Sequence, residues 1–388
     1  MKKIGIFLSG QPETGGGFQY NLAVLHAIAS FPKDEYKVVV AYVTPGWLKY
    51  IGAYTLNSIR LSPLVFAIRR FWLLFHLPHS QGEMIAKFLW PMVARKLIKE
   101  KCDLWIFPCR DELSFQAKIP AITTIHDLMH RYERRFPEVS ANGEYERRER
   151  HYSKICMFSK AVLVDSEVGK QQVHESYGMP LERIYVLPFV SHPYILKVKD
   201  LKEFDSKYNL PKKFIFYPAQ FWMHKNHSRL IKAIYILKNE FPDIYLVLVG
   251  SKKNGYRKAR SLVKKYILEE NVKFLGFVPS EDIPSFYRRA RAMIMPTFFG
   301  PTNIPPLEAF KFGCPTATSN VYGMPDQVGD AALLFDPESV KQIADNIRLL
   351  WTDDALCKKL IRNGKKRSKE WGLPQFKKRL IEIIEQIV

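Results

Sequence analysis

The chain has 388 residues, more than one compact core ordinarily holds, so two domains are expected at roughly 100–200 residues each. A hydrophobic content of 47% and a charged content of 25% are those of a folded globular protein and exclude a disordered one. The 59 Lys+Arg against 38 Asp+Glu, a formal +21, point to a polyanionic partner: nucleic acid, anionic lipid or a phosphate-bearing substrate.

Short apolar runs at 3–8, 37–43, 104–107, 121–125, 161–164 and 184–187 read as strands, with helical patterns at 18–31, 84–100 and 167–177 between them. The rhythm restarts with strands at 214–218, 244–250, 272–275, 292–295, 316–318 and 332–335. Helices at 227–239, 258–269, 282–289, 306–312 and 339–352 separate these, and 375–388 reads as a last amphipathic helix. Strand–helix alternation of this kind predicts an α/β fold of two Rossmann-like, doubly wound parallel sheets. The expected division is 1–193, 194–368, and a C-terminal helix within 369–388 that packs back on the first domain. In such sheets ligands bind where strand ends feed helix N-termini, with the cleft between two domains as the default site.

The five cysteines are odd in number and form no CxxC pair, which argues against a disulfide framework or a zinc site and suits reduced thiols of a cytoplasmic protein. The N-terminal apolar run is too short for a signal peptide. Arg69, Arg70 and His76 interrupt the longest apolar stretch, so a soluble or peripheral protein is expected. Between 60 and 101, Leu, Phe and Trp interleave with Arg and Lys, a composition suited to an anionic membrane surface. The alternative for that segment is a packed core with a solvated basic face. No known nucleic-acid-binding motif gathers the basic and aromatic residues, so nucleic acid is not the expected partner.

Four constellations carry chemistry. At 295–310 a strand end, a Gly/Pro/Thr/Asn loop and a helix with Pro306 in its first turn follow one another. Free N–H groups there, beside Thr302, Asn303 and Ile304, suit a pyrophosphate, and Glu308, read in the first turn, suits ribose hydroxyls. A capped helix with an acidic first turn is the structural alternative. At 217–227, Gln220 and Lys225 precede a helix. At 9–18, Gly15, Gly16 and Gly17 permit close backbone approach to a ligand. At 123–130, His126 and Asp127 lie at a strand end.

The 295–315 stretch, with Pro305-Pro306-Leu307-Glu308-Ala309 followed by Gly313-Cys314-Pro315, resembles the signature region of family-4 (group 1 type) glycosyltransferases. The segments 275–287 and 326–337 are similar to the family's neighbouring pieces, in the same order. The resemblance implies a GT-B fold and a retaining, metal-independent hexosyltransferase with no cofactor beyond its nucleotide-sugar donor (GDP- or UDP-linked). The implied acceptor is a glycan or lipid-linked glycan of lipopolysaccharide or capsule synthesis. It assigns Lys225 to the donor diphosphate, Glu308 to the ribose and His126 to the transferred sugar. Gly16 and Gly17 would border the donor, and Phe277 and Val278 would meet the base through their backbone. Two positions depart from the pattern. Gly300 stands where the first acid of the family's E-x7-E pair is expected, and Gln220 stands where an arginine is usual. The missing acid leaves the donor-sugar contacts to Thr302, Asn303 or backbone amides, and leaves a non-catalytic GT-B scaffold as the alternative. The sequence contains no Asp-x-Asp triplet of the kind that holds a diphosphate-bridging metal.

Overall fold

A computed structural model describes residues 1–10, 15–62, 93–191, 201 and 203–388. Two all-parallel sheets organise them. The first runs β3-β2-β1-β4-β5-β6-β7, with β1 Lys2–Leu8, β2 Tyr36–Tyr42, β3 Asn57–Arg60, β4 Leu104–Phe107, β5 Ala121–Thr124, β6 Ala161–Val164 and β7 Ile184–Val186. The second runs β10-β9-β8-β11-β12-β13, with β8 Ile215–Pro218, β9 Leu246–Val249, β10 Val272–Gly276, β11 Ala292–Met295, β12 Thr316–Ser319 and β13 Leu333–Phe335. Strands such as Leu104–Phe107 and Leu246–Val249 are buried at every residue. Helix-covered parallel sheets require such unbroken apolar runs, because neither face meets water. The expected pair of Rossmann-like sheets is therefore present.

Contacts divide the chain into two units. One comprises Met1–His126, Glu146–Pro188 and Leu373–Val388; the other comprises Asp127–Tyr145 and Phe189–Gly372. In the first, the helix Leu373–Ile387 packs on the helix Gly15–Ala29, and Tyr36 donates to Glu385. In the second, Phe216, Phe286, Tyr287 and Trp351 lie in the core around the sheet. Residues 127–145 belong with the second sheet although they precede it by some seventy residues in sequence.

Several elements differ from expectation. The edge strand β3 was not expected, because Asn57-Ser58-Ile59-Arg60 is polar and mostly exposed. The helices Glu144–Phe158 and Asp354–Glu370 were hidden by their charge density; their buried residues, such as His151, Tyr152, Ile155 and Cys156, are few among Arg, Lys and Glu. The pattern at 258–269 forms a helix over Tyr256–Lys265, ending before Ile267, whose φ is +52°. Most of the expected helix at 84–100, the apolar-basic stretch at 63–92 and residues 11–14 of the glycine loop lie outside the described residues.

Candidate active site

In each sheet the strand order reverses direction once, between β1 and β4 and between β8 and β11. The C-terminal ends of such neighbouring strands leave a crevice, the usual ligand position in doubly wound sheets.

In the second unit, the loop after β8 passes through Gln220, the turn Met223–Lys225 and Asn226, then enters the helix His227–Lys238. Asn226 adopts the left-handed conformation (φ +59°) and its side-chain amide donates to the carbonyls of Pro296 (3.0 Å) and Pro337 (2.8 Å). It thereby ties this loop to the end of β11. Lys225 Nζ donates to Asn303 Oδ1 at 3.3 Å, joining the two loops across the switch point. Burial is the main influence on the Lys225 ammonium and lowers its pKa to about 8, against the raising effect of Asp127. Gln220 Oε1 accepts from Trp222 Nε1 at 2.9 Å, which leaves the Gln220 amide NH₂ to act as a donor.

The helix Ile304–Phe312 starts two residues earlier than its proline pattern suggested. Glu308 therefore lies one turn inside the helix and not in its first turn, which corrects the sequence reading. It is 3% exposed, and Tyr287 Oη donates to its Oε2 at 2.9 Å. The amide cradle expected at this N-terminus is also reduced. Of the four backbone groups without intrahelical acceptors, from Asn303 to Pro306, two belong to prolines and have no N–H. The Asn303 N–H is committed to Gln327 Oε1 at 3.0 Å, while Gln327 Nε2 donates back to Asn303 O at 2.7 Å. Ile304 N–H is the donor left at this end among the described residues. Asn303 sits at the N-cap without capping: its Oδ1 takes Lys225 Nζ, and its Nδ2 donates to Phe299 O at 3.0 Å. Thr302 is buried beside it.

The strand before Phe277 ends on a register shift between Phe274 and Gly276, and Gly276 O accepts from Gly250 N. Val278 is buried, whereas Phe277 is 65% exposed. In the first unit, Gly15, Gly16 and Gly17 form the start of the helix Gly15–Ala29, and Gly17 O accepts from Asn21 Nδ2 at 2.8 Å. His126 follows β5; its Nε2 lies 3.6 Å from Cys109 Sγ and its ring meets Tyr20 edge-on at 5.0 Å. Burial pushes the Cys109 thiol up to about 12, so the sulfur is a protonated neighbour and not a thiolate.

Lys225 and Asn303 thus meet on adjacent loops of one sheet, with Gln220 on the same loop as Lys225, Thr302 beside Asn303, and Ile304 and Glu308 on the helix that follows. Tyr287 and Gln327 were not singled out by sequence, although both lie within the segments that carry the resemblance.

Residues 198–367 match the family model described as Glycosyl transferases group 1. The match falls on the half of the chain that carries the second sheet, and the two parallel sheets have the GT-B architecture. The chain is 28% identical over 243 residues to O-antigen chain mannosyltransferase B of Escherichia coli, covering 61% of this chain and 62% of that protein. It is 25% identical over 227 residues to the serotype-specific mannosyltransferase WbdA of Escherichia coli, covering 56% of this chain and 28% of the relative. The chain therefore spans less than two thirds of the length of either. The solved structure of Anabaena HepE in complex with UDP superposes with a TM-score of 0.72 at 17% identity, over 100% of both chains, a likeness of fold.

Proposed function

We propose that this protein is a retaining, metal-independent glycosyltransferase that moves a hexosyl group, mannosyl foremost, from a nucleotide-diphosphate sugar to a glycan or lipid-linked glycan. The observation that carries the reading is the Lys225–Asn303 contact at the β8/β11 switch point, with Glu308 buried on the following helix. A cation, a neutral amide donor and a backbone N–H on converging loops suit a diphosphate. The mannosyltransferase relatives support the sugar, and the UDP complex of a like-folded protein supports a nucleoside diphosphate as the departing group.

In this reading Lys225, Gln220 and Ile304 N–H hold the diphosphate. Glu308 accepts from the ribose hydroxyls, and the backbone at Phe277 and Val278 meets the base. Gly16 and Gly17 border the donor, while His126 contacts the transferred sugar. The anomeric C1–O bond to the phosphate breaks as the acceptor oxygen bonds to C1 from the same face. The acceptor proton passes to the departing phosphate oxygen, so the nucleoside diphosphate leaves and no protein base is required. Stabilising the charge that grows on that oxygen is the protein's main contribution.

A calorimetric and thermal-shift screen of GDP-mannose, UDP-glucose and a dTDP-sugar tests the reading. One donor at about 100 times its Kd is expected to add about 2.7 kcal/mol of stability and to be turned over on a glycan acceptor. Failure of every donor to bind would defeat it. Nucleoside diphosphate binding without turnover on any acceptor would favour the non-catalytic scaffold.

The same proposal includes cytoplasmic location and contact with an anionic membrane face. No helix among the described residues is long and apolar enough to cross a membrane. The helix Asp354–Glu370 exposes Lys358, Lys359, Arg362, Lys365, Lys366 and Lys369. At 100° per residue these fall on one stripe, away from the buried Cys357, Leu360 and Gly364. Each cation near an anionic leaflet is worth about 1 kcal/mol. Replacing Lys358, Arg362 and Lys365 by Gln is expected to weaken co-sedimentation with phosphatidylglycerol-containing vesicles on the order of 10²-fold. Equal binding of the native protein to neutral vesicles would rule this surface out.

A further inference from the structure

Glu138, on the short helix Pro137–Ser140, lies in the segment 127–145 that joins the second unit from the first half of the chain. Its side chain is only 5% exposed and accepts three hydrogen bonds. Oε1 takes the backbone N–H of His224 at 2.9 Å and the ring Nδ1–H at 2.6 Å; Oε2 takes Asn254 Nδ2 at 2.7 Å. Asn254 in turn accepts the Met223 N–H at 3.0 Å.

His224 is the neighbour of Lys225 and is fixed on every side. Its ring stacks on Phe299 at 3.8 Å and 7°, and its carbonyl accepts the Phe298 N–H at 2.8 Å. Phe136, two residues before Glu138, packs against both Phe298 (5.2 Å) and Phe299 (5.3 Å). One carboxylate therefore fastens the loop after β8 to that after β9, and through His224 to the loop that carries Asn303. Burial, the larger effect, lowers the His224 imidazole to about 4 despite Glu138 beside it. Burial also acts to raise the Glu138 carboxyl, but the bonds from His224 and Asn254 together hold it down at about 2. The pair is a neutral imidazole donating to an ionised carboxylate.

We propose that Glu138 is a positioning residue for the donor diphosphate: by clamping His224 and Asn254 it sets where Lys225 and the Phe298–Asn303 loop stand. The inference rests on the diphosphate assignment above. An ordinary docking bond would also hold residues 127–145 in place, as Tyr322 Oη donating to Glu133 at 3.0 Å does. What distinguishes Glu138 is that its partners are the backbone and side chain adjoining Lys225.

The experiment compares E138Q, E138A, the double variant E138Q/N254D and Y322F in the full chain, by GDP and UDP titration calorimetry and by Tm. In E138Q the amide NH₂ faces the Asn254 NH₂ or the His224 donors, so buried donors lose acceptors. Nucleotide affinity is expected to fall on the order of tenfold, and further in E138A. In E138Q/N254D the new carboxylate at 254 accepts from the amide at 138 and still accepts from Met223 N–H, so affinity is expected to recover. Y322F is expected to lower Tm without changing nucleotide affinity. The inference falls if E138Q and E138A bind nucleotide as the native chain does, or if Y322F loses affinity in the same proportion to its Tm. If the native chain binds neither nucleotide, the diphosphate assignment itself has failed.

Discussion

Replacing Lys225 by alanine is expected to reduce transfer on the order of 10²-fold or more while leaving the chain folded. The departing diphosphate gains negative charge as the anomeric bond breaks, and few groups are present to receive it. In the two loops at the switch point, 219–226 and 296–303, Lys225 is the only Lys or Arg. Gln220 supplies a dipole where an arginine would supply a full charge. The helix N-terminus offers Ile304 N–H, because Pro305 and Pro306 have no N–H and Gln327 occupies that of Asn303. Under the proposed function, charge relief from these two described loops therefore falls on one ammonium.

The pH dependence follows from burial. With a pKa near 8, Lys225 loses its proton as pH rises through that value, so kcat/KM for the donor should decline there. An arginine at 225 does not titrate in this range, and K225R should lack that limb whatever its absolute rate. Stability moves the opposite way. The folded pKa lies below the unfolded 10.5, so the unfolded chain binds more protons between about 8 and 10.5. Stability of the native chain therefore rises with pH across that window. K225M, freed of a buried charge, should match or exceed the native Tm at pH 7, and its advantage should shrink toward pH 10. Steady-state rates near the native value for K225A would remove Lys225 from the diphosphate site.

How legible this was in the sequence varied with the kind of feature. Buried parallel strands announce themselves, since a run such as Leu246-Val247-Leu248-Val249 has no polar face to show. The edge strand Asn57–Arg60 has almost nothing buried and so no pattern to read. The loops after strands were legible as places, and the resemblance supplied roles for Lys225, Glu308 and His126. What those loops touch was not. Nothing in the spacing joins Lys225 to Asn303, 78 residues away, or Glu138 to His224, 86 away. Glu138 is one acid in a stretch crowded with Glu and Arg, and only folding separates it from its solvated neighbours. The commitment of the Asn303 N–H to Gln327 was likewise invisible, because a helix start reads as a set of free donors until its partners are known.

Gly300→Glu, which puts an acid where the resemblance expects one, is expected to slow transfer instead of improving it. Gly300 has φ +97°, a conformation that side chains rarely adopt. A Cβ there would lie 2.6 Å from Thr302 O and 2.7 Å from Asn303 Nδ2. That space is already used by the Asn303 amide as it bonds Phe299 O and receives Lys225. A carboxylate at 300 and the Asn303 arrangement therefore exclude each other: the acid and this loop are alternative constructions of one site. Backbone strain of about 2 kcal/mol would lower Tm by roughly 4–8 °C, with the displaced Asn303 and Lys225 adding a loss of donor turnover on the order of 10²-fold. Gly300→Ala separates the two causes, since it adds the Cβ without the charge. If G300A loses Tm and turnover nearly as far as G300E, the clash governs. If G300A is normal and G300E alone is inactive, the carboxylate repels the diphosphate and the steric account fails. A G300E enzyme with native Tm and faster transfer would mean that the loop accommodates the acid after all, and that Asn303 is not what stands in its place.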